Sequence, residues 1–280
     1  MIVVGIFGGL ASQMNQYSFV RLLQHRFPEV DIKMAIGADW RRFMEHNGYE
    51  LDRVFGIERD AVDWSVVGKL ANFYPGYGVR AKLFNAFFRL RTMLGGGGRQ
   101  ITLSTTSAPE FDALPIDTAK DMLFWSNFPM SYFNEIADDL RSVFVFRQQL
   151  TGRNLELMSE ILTTDSVSIH VRRGDYIKYG YPILGVDYYK SAVDSLMARV
   201  AAPNFFVFSD DPDWADKNLD FLPAKKIVRG NTGRLSYVDL QLMSSCRHNI
   251  LANSGYSLFA EWLNTNPKKI VVKPNVWPLV

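Results

Sequence analysis

Apolar residues fall along this chain in two rhythms, and the second half keeps them more regularly than the first. Short β-branched or aromatic runs read as buried strands, and apolar positions three or four apart read as helices. From Asn154 onward the two alternate. Helix Asn154–Leu162 leads to strand Val167–Val171, then helix Asp187–Val200 and strand Asn204–Ser209. A short helix near Trp214, strand Lys226–Arg229, helix Leu235–Ser245, strand Asn249–Asn253, helix Tyr256–Leu263 and strand Ile270–Lys273 follow. Repeated βα units of this length predict a parallel sheet wound with helices on both faces.

The first half opens on strand Ile2–Phe7, then Gly8-Gly9, then a helical pattern around Gln13 that runs through Tyr17, Val20, Leu22 and Leu23 to about Phe27. Strand, glycine turn, helix is the start of a nucleotide-type βα unit, although two glycines fall short of the spaced triad of a dinucleotide fingerprint. Strand Asp31–Ala35 comes next, and between Trp40 and Gln100 the pattern gives no clear order. Within that stretch, 79–94 reads as a helix with Leu83, Phe84, Phe87, Phe88 and Leu94 near one face and Lys82 and Arg89 opposite; Gly95–Gly98 ends it. A basic, aromatic helix suits either a peripheral membrane contact or, more commonly, a core position with a solvated basic face. A strand at Met122–Ser126, an aromatic turn from Trp125 to Pro129 and a helix at Tyr132–Phe144 complete this half. A length of 280 residues fits two domains, with the boundary placed at 150/151, where the pattern turns regular.

Composition narrows the classes. With 31 basic and 29 acidic residues the net charge is +2, which excludes a nucleic-acid binder that works by bulk electrostatics and leaves room for a local pocket for a small anion. The single cysteine, Cys246, allows no internal disulfide and fits a reducing compartment. The four histidines show no metal-ligand spacing. The apolar N-terminus is short and lacks a basic flank, so it reads as a strand and not as a signal peptide. No apolar run approaches the ~18 residues of a membrane span.

Chemistry gathers at the ends of three strands. The run Ser166–Val171 ends in Arg172-Arg173-Gly174-Asp175, and a strand's carboxyl end is where α/β sheets bind ligands. Arginine's planar fork matches phosphate oxygens, which makes this a phosphate clamp; the plainer alternative is a surface ion pair. Arg173-Gly174-Asp175 also spells an adhesion tripeptide, too short to carry weight. Phe205–Phe208 runs into Ser209-Asp210-Asp211-Pro212-Asp213-Trp214. Asp210 or Asp211 could accept from a base edge, Asp211 and Asp213 could hold a divalent metal, or Asp211 could cap a helix that starts at Pro212. The third strand ends in Asn253-Ser254-Gly255-Tyr256-Ser257, where small and hydroxyl residues open a helix and offer its N–H groups to an anion. Capping alone also explains Ser254. His248 and Cys246 read as packed residues. Together the three loops describe a nucleotide-diphosphate pocket.

These residues carry a family resemblance. His170-Val171-Arg172-Arg173-Gly174-Asp175-Tyr176 resembles the leading motif of the α-1,2-fucosyltransferases, glycosyltransferase family 11. Phe208-Ser209-Asp210-Asp211 with Trp214 resembles their second motif, and Asp239 through Cys246-Arg247-His248-Asn249 to Asn253-Ser254 their third. Gly8-Gly9-Leu10 with Gln13-Met14 and Gln16-Tyr17 is similar to the N-terminal glycine signature. The resemblance implies an α/β, GT-B type fold of two Rossmann-like domains facing across a cleft, 1–150 on the acceptor side and 151–280 on the donor side. It implies GDP-fucose as donor substrate, inversion, and neither metal nor cofactor. The acceptor is then a galactose-type 2-hydroxyl of a surface-polysaccharide glycan, lipid-linked in one version. The enzyme would sit in the cytoplasm or at the inner membrane face. Arg172 is expected on the diphosphate with Arg173, Asn253, Ser254 and Ser257 around the donor. His170 and the Asp210-Asp211 pair are expected near the nucleoside, Asp175 beside Arg172 in the catalytic group, and Gly9 and Gln13 at the donor from the N-terminal side. Ala11-Ser12 replaces the family's usual Gly-Asn, and Gly255 and Leu258-Phe259 depart from its usual aromatic run, changes that bear on sugar or acceptor preference.

Overall fold

In the computed structural model the described residues are 1–36, 46–63, 99–101 and 109–277, with 66, 67, 70, 83, 86, 87 and 90. The helix expected at 79–94 lies outside them apart from four positions, and the glycine run 95–98 lies outside entirely. Two compact units divide the chain, one from Met1 to Arg147 and one from Gln148 to Pro278.

The first unit holds a parallel sheet of β1 (Ile2–Ile6), β2 (Ile32–Ile36), β3 (Arg99–Ile101) and β4 (Met122–Phe124), in the order β2-β1-β4-β3. Every residue of β1 is buried, as expected of a strand covered on both faces. Helix α1 (Leu10–Arg26) begins directly after the glycine turn, where Gly8 takes a left-handed φ of 79°. The described residues of this unit also include two shorter helices, α2 (Leu51–Phe55) and α3 (Ala137–Val143); a 3-10 helix, Met130–Ile136, precedes α3 where a single longer helix is predicted. Strand β3 is missed by the pattern, because three residues after a glycine run carry too little periodicity.

Helix α1 buries polar side chains, and each is spent on backbone. The Gln13 amide donates to the carbonyls of Gly8 (2.9 Å) and Gly48 (2.8 Å) and accepts from the Glu50 N–H (2.9 Å). Asn15 makes a reciprocal pair with the Phe128 backbone, 2.7 Å each way, and Gln16 accepts from the Phe7 N–H at 2.8 Å. Buried amides are tolerated only when satisfied, and these three tie the helix to three separate loops. At Gly5 any Cβ would lie 2.3 Å from the Trp125 ring, so the strand must be bare there.

The second unit is the regular βα succession. Helix α4 (Gly152–Thr163) leads to β5 (Ser166–Val171), then α5 (Gly174–Tyr179), α6 (Val186–Met197), β6 (Asn204–Ser209) and α7 (Pro212–Asn218). Strand β7 (Lys225–Ile227), α8 (Tyr237–Ser245), β8 (His248–Ile250), α9 (Gly255–Leu263) and β9 (Val271–Val272) follow. The parallel order is β7-β6-β5-β8-β9, so β5 is central and the winding reverses between β5 and β8. One face of β5 presents Val167, Ile169 and Val171 to Tyr189, Ala192, Val193 and Leu196, the i, i+3, i+4, i+7 stripe of α6. The alternating Ser166, Ser168 and His170 are equally buried and face a polar network. Asn249 donates to Ser168 Oγ (2.8 Å) and the Met243 carbonyl (3.0 Å) and accepts from Asn264 (2.7 Å). The site therefore stands on a strand locked from both faces. Helix α5 was not expected; the sequence there reads as a loop because its helix-starting acceptor comes from another strand.

Candidate functional site

A sheet whose winding reverses leaves a crevice at the carboxyl ends of the strands flanking the reversal. Here those strands are β5 and β8, and the loops that leave them carry Arg172 and Asn253-Ser254. The neighbouring strand β6 ends in register with β5, Val171 opposite Ser209, so Asp210 and Asp211 emerge beside the two arginines. All three predicted loops meet at one edge.

Arg172 donates through Nη2 to Asp175 Oδ2 at 2.6 Å and lies 3.2 Å through Nη1 from Asp210 Oδ2. Its guanidinium sits 5.8 Å from the centre of the Tyr176 ring. Burial works against its charge, but Asp210 and Asp175 more than offset that and hold its pKa above the ordinary arginine value. The side chain is 26% exposed, so the fork is oriented from below and open on one side. Asp210 also accepts from two backbone N–H groups, Arg173 at 2.8 Å and Gly174 at 3.1 Å. It thus caps the start of α5 from a different strand. A Cβ on Gly174 would lie 3.1 Å from that carboxylate, a tight contact that would push Asp210 by a few tenths of an ångström. Asp211 caps α7 by accepting from the Trp214 N–H at 3.1 Å and pairs with Arg173 Nε at 3.3 Å. Arg173 is stacked 4.0 Å from the Trp214 ring centre. Asp213 pairs with Arg229 at 2.6 Å. The Asp-x-Asp carboxylates therefore meet cations and a helix end, and among the described residues no group of three His, Cys, Asp or Glu side chains is placed to hold a metal.

His170 lies at 5% exposure with its ring 5.7 Å from that of Tyr256. Burial, with the Arg172 charge adding to it, pushes its pKa down to about 3, so the imidazole is neutral at physiological pH. Tyr256 accepts from the Leu240 N–H at 2.9 Å and donates to the Ser236 carbonyl, which fixes α9 against the start of α8. Ser254 caps α9, accepting from the Tyr256 N–H at 3.2 Å, whereas Ser257 is turned back onto the carbonyls of Ala252 (3.0 Å) and Ser254 (3.1 Å). Asn253 is fully buried and donates to the Pro182 carbonyl at 2.8 Å. Tyr176 donates to the Asn253 carbonyl at 2.8 Å and joins the β5 and β8 loops; burial raises its pKa to about 12.

Buried polar atoms without a protein partner concentrate here. Of the six among the described residues, four are His170 Nδ1, Arg172 Nε, Asp175 Oδ1 and Asn253 Oδ1. Such atoms are costly unless something else completes them, and their clustering at a sheet's carboxyl edge is the mark of a ligand site. One residue escaped the sequence reading as a functional group. Asp239, in the first turn of α8, accepts from Asn231 at 2.7 Å, and burial raises its pKa to about 7. No local pattern announces such a shift; it needs the α8 packing. Of the two residues expected from the N-terminal side, Gly9 starts α1 against the His46 ring and Gln13 is committed to backbone, as described above.

The family model described as "Glycosyl transferase family 11" matches residues 105–278. The chain is similar to an Escherichia coli alpha-1,2-colitosyltransferase, 30% identical, covering 99% of this chain and 92% of that one. It is also similar to the E. coli O-antigen biosynthesis glycosyltransferase WbnK, 27% identical over 96% of this chain and 92% of the relative. In fold it matches NodZ, an α-1,6-fucosyltransferase soaked with GDP-fucose, with a TM-score of 0.55 at 16% identity, covering 94% of this chain and 92% of that one. The α/β fold of two Rossmann-like units, each with a parallel sheet, is thus of the GT-B type.

Proposed function

The chain belongs to glycosyl transferase family 11, and from that premise we propose that it moves fucose from GDP-fucose, with inversion, to a galactose-type 2-hydroxyl of a surface-polysaccharide glycan. The observation that carries this reading is the Arg172 fork, held by Asp175 and Asp210 at the switch point amid unpartnered buried polar atoms. A departing nucleoside diphosphate gathers charge on its β-phosphate, and an oriented, partly desolvated arginine stabilises that charge more in the transition state than before it. The acceptor oxygen forms its bond to the anomeric carbon from the opposite face as the bond to the phosphate oxygen breaks. The electron pair goes to GDP, and the hydroxyl proton goes to a base.

Neutral His170 lies on the nucleoside side, with Nδ1 offered to a hydrogen-bonding edge of the base. Asn253 and Ser254 line the β8 loop, and Arg173 braces the wall through Trp214 and Asp211. The reaction proceeds without a metal: Asp211 and Asp213 are already paired, and Arg172 supplies the charge a metal would. The enzyme acts at the cytoplasmic membrane face on a lipid-linked acceptor. In support, WbnK is named for O-antigen biosynthesis. No helix among the described residues is long and apolar enough to cross a membrane.

A second donor, GDP-colitose, is favoured by the colitosyltransferase relative. Isothermal titration with GDP-fucose, GDP-colitose and GDP-mannose, read beside GDP release with lactose as acceptor, decides between them. The proposal expects fucose to be preferred; equal affinity for the three donors would defeat it.

A further inference from the structure

Directly after the arginine clamp the chain turns apolar side chains outward. Ile177, Tyr179, Tyr181 and Ile183 are 53%, 55%, 38% and 39% exposed. They make up four of the thirteen large apolar side chains exposed among the described residues, within seven consecutive positions. Elsewhere in the second unit such side chains are scattered, as on any soluble surface.

This segment is held in place. The Tyr181 N–H donates to the Tyr176 carbonyl at 2.9 Å, and Gly180 takes a left-handed φ of 69° to make that turn. Asn253 anchors the Pro182 carbonyl at 2.8 Å. The rings of Tyr181 and Tyr176 meet edge to face at 5.3 Å, and Tyr179 and Tyr181 stand 6.2 Å apart at 51°. Tyr176 is the ring beneath the Arg172 guanidinium. Tyr181 is therefore two ring contacts, and Tyr179 three, from the group that holds the leaving diphosphate.

We propose that Tyr179 and Tyr181, flanked by Ile177 and Ile183, form the saccharide acceptor subsite, where a sugar ring stacks its C–H face on the exposed tyrosines. This inference rests on the proposed function. Tyrosine presents a rigid apolar face and a hydroxyl at low entropic cost, which suits a ligand with both apolar and polar faces. The acceptor must arrive beside the diphosphate, and this surface is joined to the clamp through the Tyr176 ring. A membrane is the weaker occupant: Lys178, placed 5.3 Å from the Tyr179 ring, is the only cation from 174 to 185, whereas anionic lipid surfaces recruit clusters of them.

The test uses the full chain with Tyr179→Ala/Tyr181→Ala and the ring-preserving Tyr179→Phe/Tyr181→Phe. Lactose is the probe, read by KM and by saturation-transfer NMR without donor. The alanine pair should raise lactose KM at least ~10-fold and abolish the NMR transfer, while the phenylalanine pair keeps most of both. Titration should leave GDP-fucose affinity within about twofold, because the clamp is intact. Unchanged lactose KM in the alanine pair overturns the proposal. So does loss of phosphatidylglycerol-vesicle binding with lactose transfer intact, which would assign the patch to a membrane. If the wild type ignores GDP-fucose yet binds lactose through these tyrosines, the donor reading fails and the subsite stands.

Discussion

Asp210→Asn separates two jobs a carboxylate could have at this site. In the structure Asp210 accepts from the N–H groups of Arg173 and Gly174 and faces Arg172 Nη1 at 3.2 Å. An asparagine keeps one acceptor oxygen and places an amide NH2 where the other stood. One N–H loses a charged acceptor, worth about 1.5–3 kcal/mol. The Arg172 contact turns repulsive; with both side chains about a quarter exposed, that adds less than ~1 kcal/mol. A total near 2–3 kcal/mol loosens the start of α5 and the fork above it. If half of that reaches the ligand, GDP binds roughly tenfold more weakly. Because the role is to shape the loop, ADP should weaken by the same factor and the preference for GDP over ADP should survive. Titration calorimetry with both nucleotides measures this, and differential scanning calorimetry checks the stability loss. Collapse of the GDP preference in Asp210→Asn, with Tm unchanged, would show that the carboxylate reads the base and that the reasoning is wrong.

Three further outcomes follow from the same geometry. Arg172→Ala should lower kcat at least ~100-fold with GDP-sugar, the usual cost of losing an electrostatic stabiliser, and stopped-flow GDP release would reveal near-normal turnover if the clamp is not catalytic. Asp239 has a pKa raised to about 7, so the stability it contributes is present below pH ~4, where both folded and unfolded carboxyls are protonated, and is lost as pH rises through 7. Asp239→Asn should therefore gain on the wild type between pH 4 and 8, by about 2 kcal/mol after discounting partial exposure, and a Tm difference that ignores pH would contradict this. Gln13→Ala removes three hydrogen bonds to backbone and should cost about 3 kcal/mol in chemical denaturation, with donor affinity changed little if the side chain serves only the fold.

What the sequence made legible were the strands and their ends. Val167, Ile169 and Val171 are a β-branched alternation and Phe205–Phe208 an unbroken apolar run, and both patterns point to buried strands. Since those strands lie in register, the residues that follow them had to meet. The hidden parts depended on partners far away in the chain. Helix α1 itself is legible, but the roles of its buried Gln13, Asn15 and Gln16 are not, because their partners are loop backbones up to 113 residues distant. Helix α5 is capped from β6, so no capping residue precedes it. The raised pKa of Asp239 and the depressed one of His170 are properties of enclosure, which no spacing of residue types records.

The shared end of β5 and β6 has a consequence for the paired arginines. A pleated chain sends successive side chains to opposite sides, and here the first goes to Asp175 and Tyr176 while the second goes to Asp211 and Trp214. Arg172 and Arg173 are therefore not duplicates of one another. Deleting a single residue between Val171 and Gly174 would leave an arginine in the chain yet deliver it to the wrong face. The spacing between the strand's last rung and the glycine is as much a part of the site's chemistry as the guanidinium itself.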